Sequence, residues 1–180
     1  MINLFLKIFK TPQNTITASA FVDDKVSIEQ IGKKLQSKVA RLFGGSLAIR
    51  QVDAGSDNAA EQELVALSNA FYDIERFGVH FVASPKHADM LMVTGPVTRN
   101  MAEAVRRAYE VTPDPKIVVA VGDDAINGGI FKDSYAVVGA VSDVLPVDFS
   151  IPGDPPSPRT IITYLLRIME ELEKQSFNKN

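Results

Sequence analysis

There is no cysteine among the 180 residues of this chain. That excludes a disulfide framework, a thiolate nucleophile, and any zinc or iron–sulfur centre held by cysteine. Histidine is scarce as well: His80 and His87 are too few and too far apart to spell a metal site. His80 reads as a strand or core-edge residue and His87 as part of a turn. No apolar run approaches the roughly 20 residues that span a bilayer. The stretch Met1–Lys10 is apolar but is cut by Lys7, and no basic residues precede its apolar ones, so a secretory leader is not expected. Dinucleotide-binding and Walker A glycine patterns are missing, and so is a nucleophile elbow. No loop reads as a flavin phosphate cradle, and there is no internal repeat.

The chain that remains is 46% hydrophobic and 23% charged, which fits one globular domain. Its net charge of −3 argues against a general nucleic-acid binder. The charge is uneven. Residues 1–50 carry eight Lys/Arg and three Asp/Glu, whereas residues 51–180 carry eleven and nineteen. A basic third on an acidic body implies a directional contact with a membrane surface or an acidic partner.

Periodicity divides the chain into an N-terminal helical segment (1–45), a main domain (46–176) and a short tail (177–180). Ile2, Phe5, Ile8 and Phe9 share one helical face. A capping box, Ser27-x-x-Gln30, predicts a helix that carries Ile28, Ile31, Leu35, Val39 and Leu42 on one side and ends at Gly44-Gly45. Its other side holds Lys33, Lys34, Lys38 and Arg41. From Ser46 onward, short apolar runs alternate with helical patterns. Strands are expected at 47–52, 79–83, 90–93, 117–121 and 144–149, and helices at 59–70, 99–110 and 158–174. Unbroken apolar strands alternating with helices mean a parallel sheet covered on both faces. The fold class is therefore α/β, a flavodoxin-like three-layer sandwich with four or five strands. In such folds ligands bind beyond the carboxyl ends of the strands. The turns expected there are rich in glycine and proline: Asp53–Glu61, Thr94–Asn100, Gly122–Gly129 and Ile151–Pro156.

Several of these stretches carry a resemblance. Tyr72-Asp-Ile-Glu-Arg-Phe-Gly78, Ala83-Ser-Pro-Lys-His-Ala-Asp89, Val93-Thr-Gly-Pro-Val-Thr98, Pro146-Val-Asp148 and Pro152-Gly-Asp-Pro-Pro156 occur in this order. Together they resemble the small subunit of membrane-bound, energy-converting NiFe hydrogenases, formate hydrogenlyase among them. They also resemble the cluster-carrying 20 kDa subunit of NADH:quinone oxidoreductase. The likeness runs from about Ala48 to Leu166. It implies a chain that holds one 4Fe–4S cluster through four cysteines. Where the family reads Gly-Ser-Cys-Asn-Gly-Cys-Glu, this chain reads Gly55-Ser-Asp57-Asn-Ala59-Ala60-Glu61. Gly-Asp-Cys-Ala becomes Gly122-Asp-Asp124-Ala, and Pro-Gly-Cys-Pro-Pro becomes Pro152-Gly-Asp154-Pro-Pro. The ligand positions are thus Asp57, Ala60, Asp124 and Asp154.

Clusters are held by soft thiolates, and three carboxylates with a methyl group do not replace them. The expectation is no cluster and no cofactor, and the chain is not expected to be catalytic itself. If the family geometry holds, Asp57, Asp124 and Asp154 converge, and like charges about 4 Å apart repel by roughly 1–4 kcal/mol. Protonation, a bound hard cation, or separate solvation each relieve that repulsion. Glu61 takes the position that in hydrogenase-like relatives lies beside the large subunit, and it joins the three aspartates as a candidate proton or cation site. It also suits the start of a helix dipole.

The resemblance implies a hydrogenase-like large subunit and antiporter-like membrane subunits as partners, and no nucleic acid. It places the chain on the cytoplasmic face of the inner membrane, peripherally bound, in a scaffold or ion-coupling role. The alternatives are a subunit of an active hydrogenase or quinone-reducing complex with electron transfer carried by partner chains, and a stand-alone cation-binding domain built on the aspartates.

Overall fold

The computed structural model describes residues 19–177, and side chains over 28–176. The apolar face Ile2–Phe9 and nearly all of the 177–180 tail lie outside the described residues. The first helix, α1, spans Ser19–Phe43. Ser27 therefore sits inside the helix and does not cap it. Nothing in Ser19–Ser27 is Gly or Pro, and extending a helix past a capping signal is cheap once a nucleus exists. The C-terminal end is as expected. Gly44 and Gly45 both take positive φ (65° and 104°), the left-handed exit that side chains disfavour.

Five strands form one parallel sheet: β1 (Leu47–Asp53), β2 (Val79–Phe81), β3 (Met90–Thr94), β5 (Ile117–Val121) and β7 (Phe149–Ile151), in the order β2-β1-β3-β5-β7. A separate antiparallel pair joins β4 (Val97–Thr98) to β6 (Val137–Gly139). The remaining helices are α2 (Ala59–Ala66), α3 (Ala102–Val111), α4 (Asp123–Asn127) and α5 (Pro158–Phe177). The sheet order is the flavodoxin-like one, as the alternating pattern predicts.

The two-residue period of the central strands sorts their side chains into two cores. Met90, Met92, Val119 and Val121 face Leu35 and Val39 of α1, Leu64 of α2, and Ile161, Leu165 and Met169 of α5. Leu91, Val93, Val118 and Ala120 face Ala102 and Val105 of α3, Ala125 of α4, and Val141 and Leu145. Both faces are covered, so β3 and β5 are buried throughout. Each fully buried Leu, Ile or Val contributes about 1.5–3 kcal/mol. α1 thus shares one core with the main domain. Its basic side is partly committed too, because Lys38 and Arg41 both pair with Glu173 of α5.

The strand expected over 79–83 ends at Phe81 and the helix expected over 158–174 runs to Phe177, and three further differences from the sequence reading have a visible local cause. The helix expected over 59–70 ends at Ala66, because Asn69 Oδ1 accepts from the Phe71 and Tyr72 N–H groups (2.8 and 3.0 Å) and folds the chain into a turn. The helix expected from Arg99 begins at Ala102, because Val97 and Thr98 pair as β4 and the Arg99 N–H donates to the Ala136 carbonyl. The strand expected over 144–149 is shifted to Phe149–Ile151. Val141–Asp143 is a 3₁₀ turn, Leu145 tucks into the second core, and Pro146 offers no N–H for a ladder. Asp148 then ties this approach to the sheet, as its Oδ2 accepts from the Val118 N–H at 2.8 Å.

Candidate functional site

The turns that leave β1, β3, β5 and β7 meet above the carboxyl edge of the sheet, and local side-chain bonds build them. Asp53 Oδ1 accepts from the N–H groups of Gly55 (2.7 Å) and Ser56 (2.9 Å). Ser56 Oγ accepts from the Asn58 N–H, and Asp57 Oδ1 from the Ala59 N–H, both at 2.9 Å. Asp, Ser and Asn hold backbone in this way because their short side chains reach N–H groups two residues on.

The β1 turn lies directly on the β3 turn. The Ala54 N–H donates to the Thr94 carbonyl (3.0 Å), and the Thr98 N–H to the Ala54 carbonyl (2.8 Å). Gly95 makes that approach possible: its φ is +73°, and a Cβ there would overlap Ser56. The β5 and β7 turns are fastened reciprocally. The Asp123 N–H donates to the Gly153 carbonyl (2.8 Å), and the Gly153 N–H to Asp123 Oδ1 (2.9 Å).

This frame places Asp57, Ala60, Asp124 and Asp154 around one cavity. All four line one small cavity with Ser56, Gly95, Gly122 and Asp123. Its volume is about 10 Å³, room for a single water. Asp124 feels the convergence. Burial pushes its carboxyl above the usual carboxylate range, and the charges of Asp154, Asp57 and Asp123 push it further. Asp57 and Asp154 are solvent-exposed.

Glu61 is not brought into this cavity. It is only 8% exposed, in the first turn of α2, and faces the β3 turn. The Ser56 and Thr94 hydroxyls donate to its two carboxyl oxygens. Thr94 is wholly buried and also reaches the Val52 carbonyl (3.4 Å). The sequence reading missed Thr94 and Ser56 as partners of Glu61. The available signal was a polar residue closing an otherwise apolar strand. His80 lies in β2 against Ser46 (Oγ to Nδ1, 3.3 Å), and His87 is exposed in the 3₁₀ turn Pro85–His87. Neither lines the cavity.

The donor set decides what the frame can hold. Three carboxylates and a methyl offer hard oxygen and no thiolate, and they do not fit a 4Fe–4S cluster. Among the described residues, no group of three or more His, Asp or Glu is placed to hold a metal ion. Among the same residues, no helix is long and apolar enough to cross a membrane.

Comparison with known proteins bears directly on this frame. Residues 58–168 match the family model described as NADH ubiquinone oxidoreductase, 20 Kd subunit. A probable membrane-bound hydrogenase subunit, mbhJ, of Pyrococcus furiosus is 41% identical over 145 residues, covering 79% of this chain and 87% of its own. Formate hydrogenlyase subunit 7 of Escherichia coli is also 41% identical over 145 residues, covering 81% of this chain and 54% of its own. Among solved structures, a chain of the membrane-bound sulfane sulfur reductase, an archaeal respiratory membrane complex, superposes with a TM-score of 0.66 at 34% identity, covering 78% of this chain and 76% of that one.

Proposed function

Since this chain belongs to the NADH ubiquinone oxidoreductase 20 Kd subunit family, we propose that it is a non-redox subunit of a membrane-bound, hydrogenase- or complex I-like assembly. One observation carries the reading. The four positions that in the family hold the cluster lie together around one cavity, yet they are Asp57, Ala60, Asp124 and Asp154. The frame is kept, and the ligands that would make it an electron carrier are replaced.

In this reading the chain docks a hydrogenase-like large subunit at the carboxyl edge of its sheet. Antiporter-like membrane subunits lie nearby, and the chain is bound peripherally on the cytoplasmic side. Its part is scaffold or coupling, with electrons carried by other chains where they flow at all. The absence of a metal-holding group among the described residues weighs against a stand-alone cation-binding domain.

Anaerobic reconstitution with iron and sulfide tests the proposal. The chain as it stands should bind no stoichiometric acid-labile sulfide and develop no visible charge-transfer absorption. The quadruple variant Asp57→Cys, Ala60→Cys, Asp124→Cys, Asp154→Cys should take up a cluster with a reducible paramagnetic signal, because the turns that set the spacing are intact. Stoichiometric cluster in the unaltered chain would overturn the non-redox assignment.

A further inference from the structure

At the amino edge of the sheet, three chain segments leave a groove of about 350 Å³ between them. Leu42 and Phe43 end α1 on one side of it, Pro113 and Pro115 lead into β5, and Lys86, His87 and Asp89 belong to the turn that leads into β3. Leu42 and Phe43 are only partly buried against the core, so apolar surface stays open there. The size is that of a binding site, but walls this exposed fit side chains protruding from another macromolecule better than an enclosed small molecule. The carboxylates of the groove are committed: Asp89 Oδ2 accepts from the Ala48 N–H (2.9 Å), and Asp114 pairs with Lys116 (3.4 Å). Lys86 and His87 are exposed, and among the described residues neither side chain has a partner.

The opposite end of the molecule has the complementary character. Large apolar side chains left exposed gather past the carboxyl edge, where Ile130 is 88% exposed and Tyr135 90%, with Phe131 and Val138 in the same short segment. The others, Val65, Phe71 and Val111, are scattered over three elements, and scattered residues need no explanation. The segment is fastened, since the Gly128 N–H donates to the Asp124 carbonyl (2.8 Å) and Arg99 Nε to the Tyr135 carbonyl (2.6 Å). A fastened backbone lowers the ordering cost of binding. Carboxylates accompany the apolar side chains: exposed Asp133 lies within the segment, and exposed Asp57 shares a groove with Phe131 and Val137.

We propose that this chain, when free of other subunits, binds a second copy of itself head to tail, with the segment 130–138 of one copy seated in the amino-edge groove of the next. Charge selects the arrangement. A two-fold contact places like against like, so a head-to-head pair sets Asp57 and Asp133 against their own copies, and a tail-to-tail pair does the same with Lys86. Head to tail, Ile130 and Tyr135 meet Leu42 and Phe43, and the aspartates meet Lys86 and His87. Aromatic anchors in such settings carry most of an interface's energy. The two surfaces lie at opposite ends of the strands, so the contact does not close on two copies and association continues past the dimer. A subunit docked at the carboxyl edge covers the same head, which confines self-association to the unassembled chain. The inference goes beyond the subunit reading and does not depend on it.

The test is sedimentation of the purified full chain in detergent-free buffer, up to about 1 mM, where contacts as weak as millimolar register. Four forms are compared: unaltered, a head variant (Ile130→Ser/Tyr135→Ser), a tail variant (Lys86→Glu/His87→Glu) and a control, Val65→Ser. All these positions are exposed, so thermal midpoints should stay together. The unaltered chain and the control should grow past the dimer as concentration rises, and less so in high salt. Each double variant alone should associate about tenfold or more weakly. An equimolar mixture of the two should restore a one-to-one dimer that grows no further, because one copy keeps the segment and the other keeps the groove. An unaltered chain that stays monomeric throughout would overturn the proposal. So would association that survives in both variants, as a contact through Ile2–Phe9 would. Loss in only one variant, or loss in both with no dimer on mixing, would also overturn it, since a contact between this head and this tail requires each surface once.

Discussion

Asp124 is the residue on which the crowding of carboxylates around the cavity acts most directly. Burial and three neighbouring carboxylates raise its pKa above the usual 3.8. A carboxyl raised in the folded state binds its proton more tightly there than in the unfolded chain. Its contribution to stability is therefore full below 3.8 and is lost as pH rises through the raised value. Above that, ionised Asp124 works against the fold. Asp124→Asn should be more stable than the unaltered chain at neutral pH, with the gap closing as pH falls toward 3.8, followed by urea midpoints across the range. A gap that widened in acid would contradict the carboxylate cluster. The loops that line the cavity were legible in sequence through the resemblance, because Gly-Ser-x-Asn, Gly-Asp-x-Ala and Pro-Gly-x-Pro-Pro occur in the family's order. The environment of Glu61 was not legible. Its partner Thr94 lies 33 residues away in sequence, and only the parallel pairing of β1 and β3 brings the two turns together.

Elements tell a similar story, with strong local patterns read correctly and tertiary overrides missed. The strands at 47, 90 and 117 are unbroken apolar runs and stand where the sequence puts them. The strand expected over 144–149 failed because Val144 and Leu145 are apolar for a different reason: they fill the second core from a turn. The β4–β6 pair went unread because two and three residues carry no periodic signal, and only their partner across the chain makes them strands. The α1–α5 packing offers a test at this scale. Glu173, 13% exposed at its side chain, receives Lys38 and Arg41 from α1. The hydrogen bond from Lys38, supported by the charges of Arg41 and Lys38, holds its carboxyl below the usual 4.5. A carboxyl lowered in the folded state contributes stability that is present above 4.5 and disappears as pH falls through the lowered value. Glu173→Gln should thus destabilise at neutral pH and match the unaltered chain in acid. Leu35→Ala, at a wholly buried position on the same helix pair, should cost about 2–5 kcal/mol at every pH. Parallel loss in both variants would mean that Glu173 acts through packing and not through charge.

Over the whole molecule, charge is divided along the chain: the first 50 residues are basic and the remainder acidic. Among the described residues, the acidic residues around the cavity sit at the carboxyl edge of the sheet, and Lys33 and Lys34 lie on the exposed side of α1. If the proposed peripheral contact is with an anionic leaflet, the basic side makes it, and electrostatics sets its size. Each Lys or Arg near an anionic surface is worth about 1 kcal/mol, and the attraction decays over a Debye length of about 8 Å at physiological salt and about 3 Å at 1 M. Lys33 is 69% exposed at its side chain and pairs with Glu29 one turn away, a bond worth a few tenths of a kcal/mol. Reversing both lysines, Lys33→Glu/Lys34→Glu, therefore leaves the fold intact and removes at least about 2 kcal/mol of surface attraction, a drop of about thirtyfold or more in vesicle partitioning. Co-sedimentation with vesicles containing anionic lipid should show that drop. The unaltered chain should release at high salt and ignore purely zwitterionic vesicles. Binding that survives both high salt and the double reversal would assign the contact to apolar insertion in place of charge. No binding by the unaltered chain would mean that it reaches the membrane only through its partner subunits.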